Sequence, residues 1–217
     1  MSVRKPIAAA ILAGVVAAVA GLILGGGDEA LARALRDVDP GLKRAAAWIS
    51  RAGEPTAYLI ASAAVAAYGC LRGRHDRARR LSVLAFAAVA ASGILVNLLK
   101  FLFGRTRPGS LLDRGVVEFL GPTLDSAVRS FPSGHAATVG AVAALVWLFW
   151  PRWRAAALLF ALAVAVSRLL VGYHFASDVI AGLAVGWVSV ALTRHVFVRQ
   201  GWWQAQAGAY APPRNDR

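Results

Sequence analysis

Six long, strongly apolar stretches with almost no charge limit the folds open to this chain more than any other feature. Each has about 17 to 23 residues, near the ~20 that a helix needs to cross a ~30 Å hydrocarbon core. Lipid offers no hydrogen bonds, so only helices or closed barrels cross it, and these stretches lack the alternation of barrel strands. The sequence therefore predicts an all-α, polytopic membrane protein, a bundle of six transmembrane helices. The stretches are residues 6–24, 55–71, 81–103, 134–150, 155–173 and 176–198.

The first stretch has a competing interpretation as a cleaved secretory signal, because Arg4 and Lys5 precede it. Its apolar part runs to about 19 residues, whereas the apolar region of a signal peptide has about 7–15. It also ends in three glycines without a small-residue cleavage motif. We therefore expect a retained first span within a single domain, residues 1–198, followed by a disordered tail at 199–217.

The formal net charge of +13 could indicate a nucleic-acid partner, but the basic residues are unevenly placed. With a cytoplasmic N-terminus, the inner segments hold 13 lysines and arginines against two acids, and the outer segments hold 11 against nine. This is the positive-inside pattern. It predicts an inner-membrane protein with both termini in the cytoplasm, whose basic excess contacts anionic lipid rather than nucleic acid. The sequence carries no indication of oligomeric state.

Two further segments bear on the packing of the bundle. Between the first two spans, Leu31, Leu35 and Val38 recur at helical spacing before Pro40 interrupts them, so residues 28–54 contain either an interfacial amphipathic helix or a solvated linker. Gly182 and Gly186 form a G-x-x-x-G pair, which favours close helix packing within the bundle over dimerisation.

Three polar clusters fall at the predicted outer ends of the spans. They read KFLFGRTRP at 100–108, PSGH at 132–135 and SRLLVGYHFASD at 167–178. Ionisable residues at membrane depth are costly and are functional candidates by default. Because three separate segments bring them to one face, we expect a single site there.

The first cluster supplies cations. Lys100 and Arg107 are seven residues apart and would share a helix face if the helix persists. Gly104 and Pro108 indicate that the helix can unwind between them. The alternative is that Arg105 and Arg107 simply extend to lipid headgroups.

The second cluster has the form of a helix start. Ser133 is a good N-cap, so the first N–H groups of the fourth span would point to the outer face, where they could bind an anion. Gly134 lacks a side chain and would let a phosphate approach, with His135 beside it. A capped helix with an incidental histidine is an equally good reading of these four residues.

The third cluster pairs a histidine with a carboxylate. His174 and Asp178 are four residues apart, which on a helix places them on the same face. A carboxylate that accepts one imidazole N–H leaves the other nitrogen free to attack an electrophile. The alternative, a surface ion pair, fits poorly with an aspartate in an apolar run. Lys100, Arg107, Arg168 and a helix N-terminus together suit a phosphoryl group, and no acidic pair is left to hold a metal, so we expect no cofactor.

Lys100-x6-Arg107-Pro108, Pro132-Ser133-Gly134-His135 and Ser167-Arg168-x5-His174-x3-Asp178 resemble the three-part signature of the type-2 phosphatidic acid phosphatase superfamily. That group shares its site with vanadium-dependent haloperoxidases. The resemblance implies a six-helix bundle with the site at the outer membrane–water interface. It implies that His174 is a nucleophile that forms a phosphohistidine and that Asp178 orients it. It further implies that His135 protonates the leaving group and then activates water. The residues implied to hold the phosphoryl oxygens are Lys100, Arg107, Ser133, the Gly134 N–H and Arg168.

These features predict a metal-independent lipid phosphatase whose partners are the bilayer and a membrane lipid carrying a phosphate monoester or pyrophosphate. Undecaprenyl pyrophosphate, phosphatidylglycerophosphate, phosphatidate and lipid A phosphate all qualify. A lipid phosphotransferase would use the same site, and a haloperoxidase or a transporter fits less well. Residues 109–130 form either a lid that selects headgroups or a simple cover for the bundle.

Overall fold

The fold of the chain is known from a computed structural model that describes residues 4–73 and 77–202. Across these two ranges the regular structure is helical and no strand forms; one isolated bridge joins Arg105 to Phe119. The prediction of an all-α protein is confirmed. The helices are α1 (Arg4–Leu24), α2 (Gly27–Ala34), α3 (Pro40–Arg51), α4 (Pro55–Leu71), α5 (Arg77–Phe103), α6 (Pro108–Arg114), α7 (Gly134–Phe149), α8 (Arg154–Leu170) and α9 (Ala176–Arg199).

Each of the six apolar stretches forms a helix, namely α1, α4, α5, α7, α8 and α9. Among the described residues, three helices are long and apolar enough to cross a membrane, and a fourth is counted if α1 and α2, bent by 67°, form one broken span. The chain is therefore an integral membrane protein with three or four candidate spans. The count of six stays a prediction, since α4 has 17 residues and α7 only 16.

The closest helix pair is α7 with α9, and glycines make it possible. A Cβ at Gly186 would overlap the Ala137 carbonyl oxygen and lie 2.5 Å from the Ala141 nitrogen. A Cβ at Gly182 would overlap the Ser133 carbonyl oxygen. The G-x-x-x-G pair thus packs within the bundle, as predicted, and it brings the start of α7 against the start of α9.

The segment between the first two spans forms two short helices, α2 and α3. Pro40 begins α3 rather than interrupting a helix, because Asp39 caps it by accepting the Leu42 N–H at 2.9 Å. One face of α3 packs against α8, where Ser50 is buried, while Trp48 on the other face is 67% exposed. The helix is amphipathic, so the solvated-linker interpretation is wrong for residues 40–51. Its position in the membrane interface stays a prediction.

Two expectations concern residues outside the described ranges. The predicted disordered tail begins at 199, but α9 continues to Arg199 and residues 203–217 are not described. Residues 74–76 of the basic inner loop also lie outside them.

Candidate active site

The first cluster leaves the helix at a glycine. Helix α5 ends at Phe103, and Gly104 has a φ of +52°, a conformation that favours glycine. Lys100 and Arg107 therefore do not share one continuous helix face. Main-chain oxygens orient both instead: Lys100 Nζ donates to Arg129 O at 2.8 Å, and Arg107 Nη2 lies 3.4 Å from Ser126 O.

The second cluster starts α7 as the sequence predicts. Ser133 is the N-cap, and its hydroxyl lies 3.5 Å from the Ala136 nitrogen that it caps. Ser133 N also donates to Asp178 O at 2.9 Å, which ties this cluster to the third. An added Cβ at Gly134 would meet only Val96 Cγ1, at 3.8 Å. Protein packing therefore does not require glycine there, although a ligand approaching the helix N-terminus would.

The third cluster pairs its histidine and aspartate in an unexpected way. Helix α8 ends at Leu170, short of the predicted 173, and the chain turns at Gly172, whose φ is +77°. His174 therefore precedes α9, and the prediction that it shares a helix turn with Asp178 is wrong. The two still meet, because Asp178 folds back to accept the Phe175 N–H at 2.9 Å. This cap places Asp178 Oδ2 3.5 Å from His174 Nδ1.

His174 is almost fully buried, and its surroundings keep it neutral. Burial lowers the pKa of His174 to about 4, although the hydrogen bond and the negative charge of Asp178 oppose this change. The cations Lys100 and Arg168 lower the pKa further. At neutral pH the imidazole is uncharged. With its proton on Nδ1, facing the carboxylate, the lone pair on Nε2 is free to attack.

A second polar group supports the same carboxylate. The Ser130 hydroxyl donates to Asp178 Oδ2 at 2.6 Å and lies 3.4 Å from His174 Nδ1. Ser130 is fully buried and belongs to the loop just before the second cluster. It lies outside the three motifs, so sequence reasoning missed it.

Three cations from two clusters lie within electrostatic range of one another, and we call Lys100, Arg107 and Arg168 the cation cup. Lys100 lies within electrostatic range of Arg107, Arg168 and Asp178. The Tyr173 ring joins two members, since the guanidinium carbons of Arg168 and Arg107 lie 4.8 and 5.9 Å from its centroid. His135 is within range of Lys100 and Arg168. The structure thus brings all three sequence clusters to one place.

The segment from α3 to α4 contributes contacts that sequence reasoning missed. Arg168 Nη1 donates to the Ser50 hydroxyl on α3. His135 Nε2 lies 3.5 Å from a carboxylate oxygen of Glu54, which is 59% exposed. Neither Ser50 nor Glu54 belongs to a recognisable motif, so only the packing of α3 on α8 reveals them.

Arg105 differs most from its sequence interpretation. An arginine that extends to lipid headgroups would be exposed, but the Arg105 side chain is only 1% exposed. Its guanidinium lies between two carboxylates, those of Asp178 and Asp28. Asp28 comes from α2, far from the three motifs, and it too was missed.

The loop at 109–130 is fastened to the end of α5. Main-chain hydrogen bonds join Thr106 N to Glu118 O and Leu120 N to Gly104 O, both at 3.0 Å, and Ser130 N to Arg105 O at 2.9 Å. This attachment holds the carbonyl groups of Ser126 and Arg129 against the cation cup. A lid role for the loop stays a prediction.

A cavity of about 180 Å³ borders His174 between α2, α6 and the turn after α8. Leu31 and Leu112 give it apolar walls, and Arg36 and Lys43 contribute cations to its lining. Such a space suits a ligand that is both amphipathic and anionic.

Comparison with known proteins gives consistent matches. The model of the PAP2 superfamily matches residues 81–202. A lipid A 1-phosphatase from Rhizobium johnstonii is 44% identical over 142 residues, which cover 63% of this chain and 58% of that protein. This chain therefore spans less than two thirds of the length of the Rhizobium lipid A 1-phosphatases that it matches.

Two solved structures share the fold. Aquifex aeolicus LpxE superimposes with a TM-score of 0.56 at 23% identity, covering 77% of this chain and 94% of that one. A transmembrane PAP2-type phosphatidylglycerolphosphate phosphatase from Bacillus subtilis gives a TM-score of 0.63 at 19% identity, covering 91% and 98%.

Proposed function

Because this chain belongs to the PAP2 superfamily, we propose that it is an integral-membrane phosphatase that removes a phosphate from a membrane lipid. The observation that carries the proposal is the position of His174, which is backed by Asp178 and lies within electrostatic range of Lys100 and Arg168 of the cation cup. A lipid A-type 1-phosphate is the first substrate to test, given the 44% identity to a lipid A 1-phosphatase.

The cation cup neutralises the phosphoryl group and positions it for attack. Phosphoryl transfer depends on charge neutralisation and alignment more than on elaborate covalent chemistry. Lys100, Arg107 and Arg168, with the N–H of Gly134 at the start of α7, provide both. Ser133 caps that helix by accepting a main-chain N–H at its hydroxyl oxygen, so its hydroxyl hydrogen can be donated to a phosphoryl oxygen. On this basis we propose that the reaction needs no metal.

The reaction proceeds in two displacements at phosphorus. The His174 Nε2 lone pair forms the N–P bond while the P–O bond to the lipid breaks, and protonated His135 gives its proton to the departing oxygen. His135 then takes a proton from water, whose oxygen attacks phosphorus and breaks the N–P bond. Inorganic phosphate leaves, and His174 is regenerated. Asp178 stabilises the positive charge that the imidazole develops in each transition state.

We further propose that α1, α4, α5, α7, α8 and α9 all cross the membrane as one domain, with the site on the outer side and both termini in the cytoplasm. The distribution of basic residues supports this orientation. An impermeant maleimide applied to sealed cells should fail to label Cys70, at the inner end of α4, or a cysteine placed at Asn215. Labelling of either cysteine without opening the membrane would refute the proposed orientation.

The decisive experiment measures phosphate release by the purified protein from lipid A, undecaprenyl pyrophosphate, phosphatidylglycerophosphate and phosphatidate. His174→Ala should lose more than about 1,000-fold in kcat, as expected when a nucleophile is removed. His195→Ala, an exposed histidine on α9, serves as the matched control and should be near wild type. Near-normal turnover by His174→Ala would refute the mechanism, and loss of activity in EDTA would refute metal independence.

A further inference from the structure

Behind the His174–Asp178 pair lies a set of buried charges that joins Asp178 to two residues outside the named motif positions, Arg105 and Asp28. Arg105 Nη1 donates to Asp178 Oδ1 at 2.6 Å, and Arg105 Nη2 donates to Asp28 Oδ2 at 2.8 Å. All three side chains are 2% exposed or less. We call Asp28, Arg105 and Asp178 the buried charge cluster.

Ser177 joins Asp28 to Arg105 a second time. Its main-chain N–H donates to Asp28 Oδ1 at 2.9 Å, and its hydroxyl contacts Asp28 Oδ2 and accepts from Arg105 Nη1 at 2.7 Å. The Arg105 guanidinium also stacks on Phe175, with its carbon 4.2 Å from the ring centroid. Asp28 therefore fixes both the arginine and the start of α9, which carries Asp178 and begins two residues after His174.

The second carboxylate changes the net charge of the cluster beside the imidazole. Arg105 alone would neutralise Asp178, whose negative charge must stabilise the imidazole as it becomes positive. A second carboxylate on the other side of the guanidinium leaves the cluster with a net charge of −1. Buried charges interact strongly because water does not screen them. The loss of one carboxylate therefore changes the electrostatic energy of the other two charged groups.

We propose that Asp28 is a positioning residue for catalysis, acting through Arg105 and Ser177 on the His174–Asp178 pair. This inference rests on the proposed function, because it assigns Asp28 to the same reaction. Asp28 lies outside the region that matches the family model, residues 81–202. Helix α2, which follows the bend at Gly26, would therefore belong to the catalytic apparatus.

The experiment compares Asp28→Asn with Glu29→Gln, which removes the same charge from the next residue, in the full chain in detergent. Orthovanadate becomes five-coordinate by bonding to an imidazole nitrogen, so its affinity depends on His174, whereas inorganic phosphate needs only the cations. Replacing a residue that hydrogen-bonds to a metal-bound histidine typically lowers metal affinity or activity by about 10- to 100-fold. On that scale we expect Asp28→Asn to lose at least about tenfold in kcat and in vanadate affinity. KM and phosphate affinity should change less than about threefold.

The outcomes separate this inference from the proposed function. If wild type releases no phosphate from any lipid, the proposed function fails, and the change in vanadate affinity still decides the role of Asp28. Values of kcat or vanadate affinity equal to those of Glu29→Gln would overturn the inference. Equal losses of phosphate and vanadate affinity would also overturn the inference, because they indicate general damage to the site. A wild type that binds no vanadate would overturn it as well. If Asp28→Asn does not fold, Ser177→Ala, which keeps every charge, should weaken vanadate affinity selectively, and an unchanged affinity would overturn the inference.

Discussion

Replacing Asp178 with asparagine removes the charge that backs the proposed nucleophile while almost preserving its shape. The carboxylate oxygen lies 3.5 Å from His174 Nδ1. Two unit charges at that distance interact by roughly 5 kcal/mol at an effective dielectric constant of about 20. The imidazole carries only part of a charge in the transition state, so the loss should be roughly 2 to 5 kcal/mol. This corresponds to a decrease in kcat of about 30- to 5,000-fold.

The assay is phosphate release in detergent micelles, with whichever lipid of the panel the wild type hydrolyses fastest. Because Asp178 also pairs with Arg105, thermal unfolding must first define a temperature at which the variant is folded. Asp113→Asn, an exposed residue of α6, loses the same charge and should stay within about twofold of wild type, as surface substitutions usually do. A kcat for Asp178→Asn within tenfold of wild type, at unchanged KM, would refute the role of this carboxylate.

Three further predictions concern the site and its support. Gly134→Ala should unfold at the wild-type temperature or above, since the added Cβ meets only Val96 at 3.8 Å. It should nevertheless raise the inhibition constant for phosphate, and an unchanged inhibition constant would argue against an anion site at the start of α7. Gly186→Ala should lower the unfolding free energy by about 1–3 kcal/mol through overpacking, because its Cβ would lie 2.5 Å from Ala141 N; an unchanged melting temperature would contradict this packing. The pKa of His174 falls from 6.5 to about 4 on folding. As the pH falls from 6.5 towards 4, the unfolded chain therefore takes up a proton on this imidazole that the folded protein does not. The free energy of unfolding should fall over that range by at most roughly 3 kcal/mol. Unfolding curves of wild type and His174→Gln should diverge over that range, and parallel curves would exclude the effect.

The sequence predicted the parts of this fold that depend on local chemistry. Long apolar runs became helices because lipid permits little else, and Ser133 caps α7 because its hydroxyl accepts a nearby main-chain N–H. Gly182 and Gly186 lie where α7 and α9 approach closely, as their spacing indicated. Each prediction needed only neighbouring residues and the solvent that surrounds them.

The parts that the sequence did not predict depend on residues far apart in the chain. Arg105 resembles a surface arginine until Asp28, 77 residues earlier, folds over it. Ser50 is one polar residue among many until α3 packs on α8 beside Arg168. His174 meets Asp178 through a helix cap rather than a shared helix turn, because Gly172 ends the preceding helix early. The burial of a polar side chain can be predicted from sequence only when the residue that pairs with it is nearby in the chain.

The proposed reactivity and the fold depend on the same carboxylate atoms. Asp178 Oδ2 accepts the Phe175 N–H that begins α9 and the Ser130 hydroxyl, and it faces His174. Its other oxygen accepts from Arg105, which holds α2 in place through Asp28. Substitutions at Asp178 should therefore lower stability as well as kcat, whereas those in the cation cup should lower kcat with less effect on stability. The ratio of the two losses thus distinguishes the groups that contact the phosphate from those that position the imidazole.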